Sequence, residues 1–292
     1  MADPSTSSGQ SDVLFDKRSD GIAIITLNRP DSMNAMGGQL MPMLAQFLDQ
    51  SRNDREVRCV ILTGNGRAFC AGGDVKDMGR RPAPASEGGA PAANGGEAAQ
   101  TSVIGLLDAG VAVLRESQIR TSYVLHTMPK PTIAMVNGYA VGAGLSLALA
   151  CDIRIASENA KFGTAFRNVG LSGDFGGSFF LQRLVGYGKA RELYFTAEMI
   201  DAQEAQRLGI ANRVVPHDSL MDNTLAFAAK IAAGPTATYA RMKENLNLAT
   251  HVDLKTLMDH EALNMRLSGM SNDSREAVRA FIEKREPKFI GQ

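Results

Sequence analysis

Two glycine-rich turns constrain the fold of this chain more than any other feature of its 292 residues. The first, AFCAGGD at 68–74, follows a buried strand predicted over 57–64. The second, at 138–144, follows a strand predicted over 132–137 and begins an apolar helix that ends near Cys151. Glycine lets a ligand approach the backbone, and the first N–H groups of a helix lack partners within it. The two turns therefore predict an α/β fold with main-chain donors at two strand-to-helix junctions.

Each turn alone also has a plainer explanation. Asp74 is suited to cap a helix that begins near Val75, and glycines at 142 and 144 would let a helix cross a strand closely. Neither turn is a P-loop or a dinucleotide-binding fingerprint, because the Gly-Lys-Ser/Thr and G-x-G-x-x-G patterns are missing. Together the turns indicate a pair of N–H groups directed at one thioester or carbonyl oxygen, as acyl-transfer or enolate chemistry requires.

The rest of the chain alternates strands and helices up to residue 215 and is helical after Pro216. Residues 1–11 predict a disordered tail, and the Gly/Ala/Pro-rich segment 79–100 predicts a flexible insertion. The predicted organisation is a core over 12–215 and a C-terminal helical region over 216–292. The other predicted elements are strands over 22–28, 153–156 and 211–215 and helices over 39–52, 103–126 and 202–208.

Charge balance and apolar run length exclude two classes of partner. Lys and Arg number 31, and Asp and Glu also number 31, which disfavours nucleic-acid binding driven by net charge. The longest apolar run, 140–151, is shorter than the roughly 20 residues that span a bilayer, so no membrane helix is predicted. The N-terminus lacks signal-peptide features, and three cysteines in apolar settings favour a reducing cytoplasm. The four histidines show no metal-ligand pattern.

Several stretches in order resemble one family: LNRPDSMNAM, VRCVILTGNGRAFCAGGDVKDM, KPTIAMVNGYAVGAGLSLALACDIRIASENAKFG and ARELYFTAEMIDAQEAQRLGIANRVV. They are similar to the crotonase superfamily, the enoyl-CoA hydratase/isomerase family, from about Asp12 to the C-terminus apart from the insertion. The resemblance implies a spiral of ββα units with a C-terminal helical trimerisation region, assembly as a trimer or hexamer, and acyl-CoA substrates. It also implies an oxyanion hole made by the backbone N–H groups of Gly73 and Ala143.

The same resemblance implies where the acyl-CoA would bind. The segment around Ala35 would border the nucleotide end, and Gly73 to Lys76 would line the pantetheine path. No metal or cofactor is expected, because the acyl-CoA thioester is itself the substrate. The implied substrate-binding residues are Ala35, Ala71, Gly73, Asp74, Val75, Lys76, Ala143 and Phe166.

The chain departs from the hydratases at their two catalytic glutamates, whose positions are taken by Ser146 and Phe166. What remains is Asp174, whose placement resembles the single catalytic aspartate of 1,2-epoxyphenylacetyl-CoA isomerases, dienoyl-CoA isomerases and 4-chlorobenzoyl-CoA dehalogenases. The first of these is the most similar branch. Asp174 would serve as acid and base in an apolar pocket, where desolvation raises the pKa of a carboxyl group. The aromatic candidates for that pocket are Phe166, Phe175, Phe179 and Phe180.

Alternatives stay open at this point. Asp174 could instead cap the helix that begins in GSFFLQRL, because aspartate favours that position. Besides an isomerase, the chain could be a hydratase or hydrolase with a water activated by Asp174, or a catalytically silent acyl-CoA-binding protein. Ser146 is predicted to be a small spacer, and Tyr139 and His126 to pack in the core. Segment 79–100 could act as a lid that orders on ligand binding.

Overall fold

The computed structural model describes residues 11–74 and 108–292, and their strands assemble into one six-stranded and one four-stranded sheet. The predicted tail, apart from Ser11, and the insertion 79–100 lie outside the described residues, as do Val75 and Lys76. The strands are β1 (Val13–Lys17), β2 (Ile22–Leu27), β3 (Cys59–Gly64), β4 (Ala68–Cys70), β5 (Thr132–Val136), β6 (Tyr139–Val141), β7 (Ile153–Ser157), β8 (Lys161–Gly163), β9 (Ile200–Asp201) and β10 (Arg213–Val215).

The six-stranded sheet has the order β1-β2-β3-β5-β7-β10. Only its first pair, β1 with β2, is antiparallel, and every other neighbouring pair is parallel. The four-stranded sheet has the order β4-β6-β8-β9, in which only β8 and β9 are antiparallel. Because β4 follows β3 closely and β6 follows β5 closely, the chain passes repeatedly from the large sheet to the small one.

The helices cover both faces of the large sheet. Ile22, Ile61 and Met135 belong to one buried cluster with Ala228, whereas Leu62 belongs to the other. This burial on both faces explains why β3 and β5 are apolar without alternation. The helices are α1 (Leu40–Asn53), α2 (residues 108–127), α3 (Ala143–Ala150), α4 (Gly177–Thr196), α5 (Ala202–Arg207), α6 (Leu220–Ala232), α7 (Thr236–Leu248), α8 (Leu254–Gly269) and α9 (Asn272–Glu283).

Helix α2 contains one π-helical turn, Ile119–Tyr123, between two α-helical parts. Within this turn Thr121 Oγ1 donates a hydrogen bond to Ser117 O at 2.6 Å, and Ser122 Oγ donates to Gln118 O at 3.2 Å. Hydroxyl groups that bond back along a helix compete with the regular backbone ladder and favour local distortion. The helix predicted over 103–126 is confirmed from residue 108 onward, and residues 103–107 lie outside the described residues. The π-helical turn interrupts its period of 3.6 residues.

The C-terminal helices are fastened to the body at Arg58, which lies directly before β3. Its guanidinium donates to Thr236 Oγ1, Gly234 O and Phe289 O at 3.1, 2.6 and 3.1 Å. The segment after α9 therefore returns to the edge from which the parallel strands begin. Within the described ranges, none of the helices is both long enough and apolar enough to cross a membrane.

Candidate active site

The first glycine-rich turn, 71–73, lies directly against the second. Gly72 has a φ of +88°, and a Cβ atom there would lie 2.8 Å from Val141 O and 3.3 Å from Ala143 N. Any other residue would therefore be strained and would collide with the second turn. The turn is also fastened from outside, because Ala71 N–H donates to Met33 O at 3.0 Å and Met36 N–H donates to Gly72 O at 2.7 Å.

The second turn places Ala143 at the first position of α3. Gly142 N–H donates to Gly163 O at 2.8 Å, which ties the turn to β8. In the part of the chain that the structure describes, neither Gly73 N–H nor Ala143 N–H has a hydrogen-bond acceptor. Every residue of α3 is buried, so the positive end of its dipole acts in surroundings of low polarity. The structure thus brings the two predicted donors onto adjacent turns.

Asp174 lies on the loop between a 3₁₀ helix, Phe166–Val169, and α4. Helix α4 is capped by Gly176 without any side-chain hydrogen bond, so the alternative of Asp174 as a capping residue is wrong. The main-chain oxygen of Asp174 accepts from Gly177 N–H at 3.1 Å, while its Oδ1 atom is buried and has no partner among the described residues. Burial raises the pKa of the Asp174 carboxyl to about 6.

The two positions at which the resemblance implies the glutamates of hydratases are both buried and closely packed. Ser146 is only 1% exposed, and its hydroxyl donates to Gly142 O at 3.4 Å. A Cβ atom at Gly177 would lie 2.3 Å from Ser146 Oγ, which fits the prediction that Ser146 is a spacer between α3 and α4. Phe166 is 7% exposed, and its ring lies 3.8 Å from the Cβ position of Gly142. An apolar ring thus borders the second turn.

Comparison with known proteins agrees with this geometry. The enoyl-CoA hydratase/isomerase family matches residues 17–102 and 107–292. This chain belongs to that family. It is 37% identical to the 1,2-epoxyphenylacetyl-CoA isomerase of Escherichia coli K12, over 93% of this chain and 96% of that protein. It is 35% identical to the short-chain-enoyl-CoA hydratase of Clostridium acetobutylicum, over 91% and 92%.

Solved structures of the family confirm the predicted crotonase fold. The crystal structure of the enoyl-CoA hydratase from Bacillus anthracis superimposes with a TM-score of 0.81 at 31% identity, covering 97% of this chain and 100% of that one. The names of the relatives include both an isomerase and hydratases. The family is therefore established for this chain, and the choice of reaction rests on its own residues.

Arg29 contacts two of the residues implied to bind the nucleotide and pantetheine, Ala35 and Asp74. Its Nη1 donates to Ala35 O at 2.7 Å, and its guanidinium forms an ion pair with Asp74 at 3.4 Å. Ala35 is buried, and Ala71 lies on the turn that is bonded to Met33. These contacts hold the loop that contains Ala35 against the first turn. Whether these residues bind acyl-CoA stays a prediction.

The four aromatic candidates divide into two pairs. Phe166 is buried beside the second turn, and Phe175 is also buried. Phe179 and Phe180 are half-buried and pack edge-to-face with His126. The second pair, together with Gly176, lines a cavity of about 770 Å³ whose lining does not include Asp174. Phe166 is thus the candidate in contact with the second turn. A core position for Tyr139 is wrong, because that side chain is 44% exposed.

Sequence reasoning missed Tyr194, a residue of α4. Its ring stacks on Phe166 with 6.0 Å between centroids and 15° between planes. Burial, with the negative charge of Asp174 as the second cause, raises the pKa of Tyr194 to about 12. Tyr194 lies 20 residues after Asp174 in the middle of a helical pattern, so no motif spacing marks it. Across residues 11–74 and 108–292, no group of acidic, His or Cys side chains is placed to hold a metal ion.

Proposed function

We propose that this family member is an acyl-CoA isomerase in which Asp174 transfers a proton between two carbons of a thioester enolate. The observation that carries the proposal is the buried Asp174 carboxyl with a pKa near 6, on a loop beside a site where Ser146 and Phe166 occupy the two glutamate positions of hydratases. Without two carboxyl groups, addition of water lacks its usual acid and base.

The proposed mechanism uses one base for two proton transfers. The thioester oxygen accepts hydrogen bonds from Gly73 N–H and Ala143 N–H, which stabilise the negative charge that develops when Asp174 removes a proton from carbon. The protonated Asp174, whose carboxyl proton exchanges with solvent, then donates a proton to a different carbon, so the double bond moves and the enzyme regains its starting state. A group with a pKa near 6 is mainly ionised at pH 7, and its conjugate acid is a competent donor. No cofactor takes part in this cycle.

Product identity tests this proposal. Purified protein is incubated in deuterated water with a panel of enoyl-, dienoyl- and aryl-acetyl-type CoA thioesters, and products are followed by mass spectrometry and NMR. An isomerase gives double-bond migration without gain of water, with deuterium incorporation that is lost in Asp174→Asn and kept in the control Asp16→Asn. Asp16 is exposed on strand β1. A 3-hydroxyacyl-CoA or free CoA as the only product would replace the isomerase with a hydratase or hydrolase.

We also propose that the protein acts as a homotrimer, alone or paired as a hexamer. Large apolar side chains are exposed on the C-terminal helices, among them Met265 at 74%, Phe281 at 85% and Ile282 at 73%. Apolar surface of this kind on a folded chain is typical of an interface between subunits. Sedimentation velocity should give a mass three or six times the 31.2 kDa of the chain. Phe281→Ser should shift that mass towards the monomer, and a monomeric wild type would refute the assembly.

A further inference from the structure

A continuous series of contacts joins the second turn to the loop of Asp174. Phe166 lies 3.8 Å from the Cβ position of Gly142, and on its other side stacks on the ring of Tyr194. The Tyr194 hydroxyl in turn lies 3.5 Å from the Cβ position of Gly173 and 2.8 Å from that of Gly177. Any side chain at Gly177 would displace this hydroxyl. Tyr194 therefore occupies the space beside the loop that presents Asp174.

Two neighbouring polar groups, one on this loop and one on α4, have no hydrogen-bond partner within the described residues. One is Asp174 Oδ1, which is buried, and the other is the hydroxyl of the half-buried Tyr194. An unpaired buried carboxylate oxygen is costly, and a single water molecule that accepts from the hydroxyl and donates to the carboxylate satisfies both groups. The negative charge of Asp174 acts on the pKa of Tyr194, so the two groups are also close enough to interact electrostatically.

We propose that Tyr194 is a positioning residue for Asp174, whose ring holds the loop and whose hydroxyl holds the ionised carboxylate through one bridging water. This inference rests on the proposed function for its effect on turnover, but its effect on Asp174 itself is independent of the reaction. Tyr194 stays protonated throughout the physiological pH range because its pKa is near 12, so it acts as a constant donor.

Other groups packed around the loop leave this role to Tyr194. From α3 the neutral Ser146 faces Gly177, and from the 3₁₀ helix the exposed Arg167 donates to Thr196 O at 3.0 Å. On α4, the Arg183 guanidinium lies 3.5 Å from the ring centre of Phe179. Burial is the one cause of the raised Asp174 pKa, and within the described residues no charged side chain contributes to it. A hydroxyl donor is therefore the available means of stabilising the ionised form.

The test compares Tyr194→Phe with Tyr187→Phe. The first variant keeps the ring stacked on Phe166 and removes only the hydroxyl. The second makes the same change on the same helix at a side chain that is 68% exposed. Protein labelled with ¹³C at the aspartate carboxyl is titrated without substrate, and the Asp174 resonance is assigned from its loss in Asp174→Asn. Removing the donor should raise the pKa of Asp174 by at least about half a pH unit in Tyr194→Phe only.

Kinetics give the second readout. In Tyr194→Phe, kcat should fall about tenfold on the acidic side of the pH profile, with KM for the acyl-CoA unchanged, because the carboxylate is less often ionised and less well oriented. Equal Asp174 titration curves in wild type, Tyr194→Phe and Tyr187→Phe would overturn the inference. If the titration shifts as expected but Asp174→Asn retains full turnover, Tyr194 does position Asp174 and the proposed function is the part that fails.

Discussion

The two glycine-rich turns present main-chain N–H groups, whereas the loop of Asp174 presents a side chain. At the turns, backbone atoms such as Val141 O leave no room for a side chain at Gly72, and hydrogen bonds with Met33 and Met36 hold the first turn in place. At the loop, the reactive property is the raised pKa of one carboxyl group, which comes from burial among the surrounding side chains. The glycine-rich turns should therefore be disrupted by added side-chain atoms, whereas the Asp174 loop should be disrupted by replacement of its carboxyl group.

The largest expected effect comes from adding one methyl group beside the second turn. A Cβ atom at Gly144 would lie 2.1 Å from Cys70 O and 2.7 Å from Cys70 C, and these backbone atoms of β4 cannot turn aside. Gly144→Ala should lower the free energy of unfolding by at least about 4 kcal/mol or prevent folding. Urea denaturation measures the loss. The control, Gly188→Ala in α4, has no atom within 4 Å of the added Cβ and should change stability by less than about 1 kcal/mol.

Changing the chemistry of the Asp174 loop should remove activity without removing binding. Asp174→Asn keeps the shape of the side chain but cannot accept the substrate proton, so kcat should fall about a thousandfold. The dissociation constant for acyl-CoA, measured by calorimetry, should stay within about threefold, because the main-chain donors are untouched. A parallel loss of affinity and turnover would place Asp174 among the binding groups rather than the reacting ones.

The same variant should be more stable than the wild type at neutral pH. The folded-state pKa of Asp174 is raised from 3.8 to about 6, so the folded state disfavours the ionised form. This penalty is fully present above about pH 6 and disappears only below pH 3.8, where the unfolded state is protonated as well. We expect Asp174→Asn to gain about 1 kcal/mol at pH 7, allowing for partial solvent screening, and almost nothing at about pH 3. If the difference in stability between Asp174→Asn and the wild type were the same at both pH values, burial of the Asp174 charge would be contradicted.

The smallest effect is expected where the donor is purely main-chain. Ala143→Gly leaves the N–H group in place and removes only a methyl group at the first position of α3. Turnover should change by less than about threefold, and stability should fall by less than about 1 kcal/mol because glycine is a poorer helix former. A loss of turnover as large as that of Asp174→Asn would show that the side chain at 143 shapes the site.

Sequence patterns predicted the regular parts of this fold and the backbone half of the site. The strand predicted over 132–137 is β5, and the predicted junctions at 71–74 and 138–144 are neighbours in space. The small sheet was missed because β4, β6 and β8 have three residues each, too few for a period to show. Part of each glycine-rich turn is consequently strand.

The side-chain half was only partly predictable. Asp174 was found through the resemblance of its motif, but the alternative that it caps α4 could be rejected only from the geometry at Gly176. Tyr194 could not be found, since it reaches the Asp174 loop through the packing of α4 across Phe166. Contacts between distant segments leave no trace in local periodicity. A half-buried polar side chain of this kind is recognised only after the helix has been placed.

The π-helical turn in α2 indicates that one residue was inserted into this helix during evolution. In the π-helical turn each backbone hydrogen bond joins residues five apart instead of four, so the turn holds one extra residue. The residues after Tyr123 are therefore rotated about the helix axis by about 100° relative to a regular α-helix of the same sequence. Relatives that lack the turn should therefore align with a single-residue gap inside 119–123. Before and after that gap, their buried and exposed positions should match those of this chain. The 770 Å³ cavity is lined in part by Ile119, Ser122 and Tyr123 of this turn. One inserted residue would therefore have changed the wall of the cavity while Leu125 kept its buried position in the core.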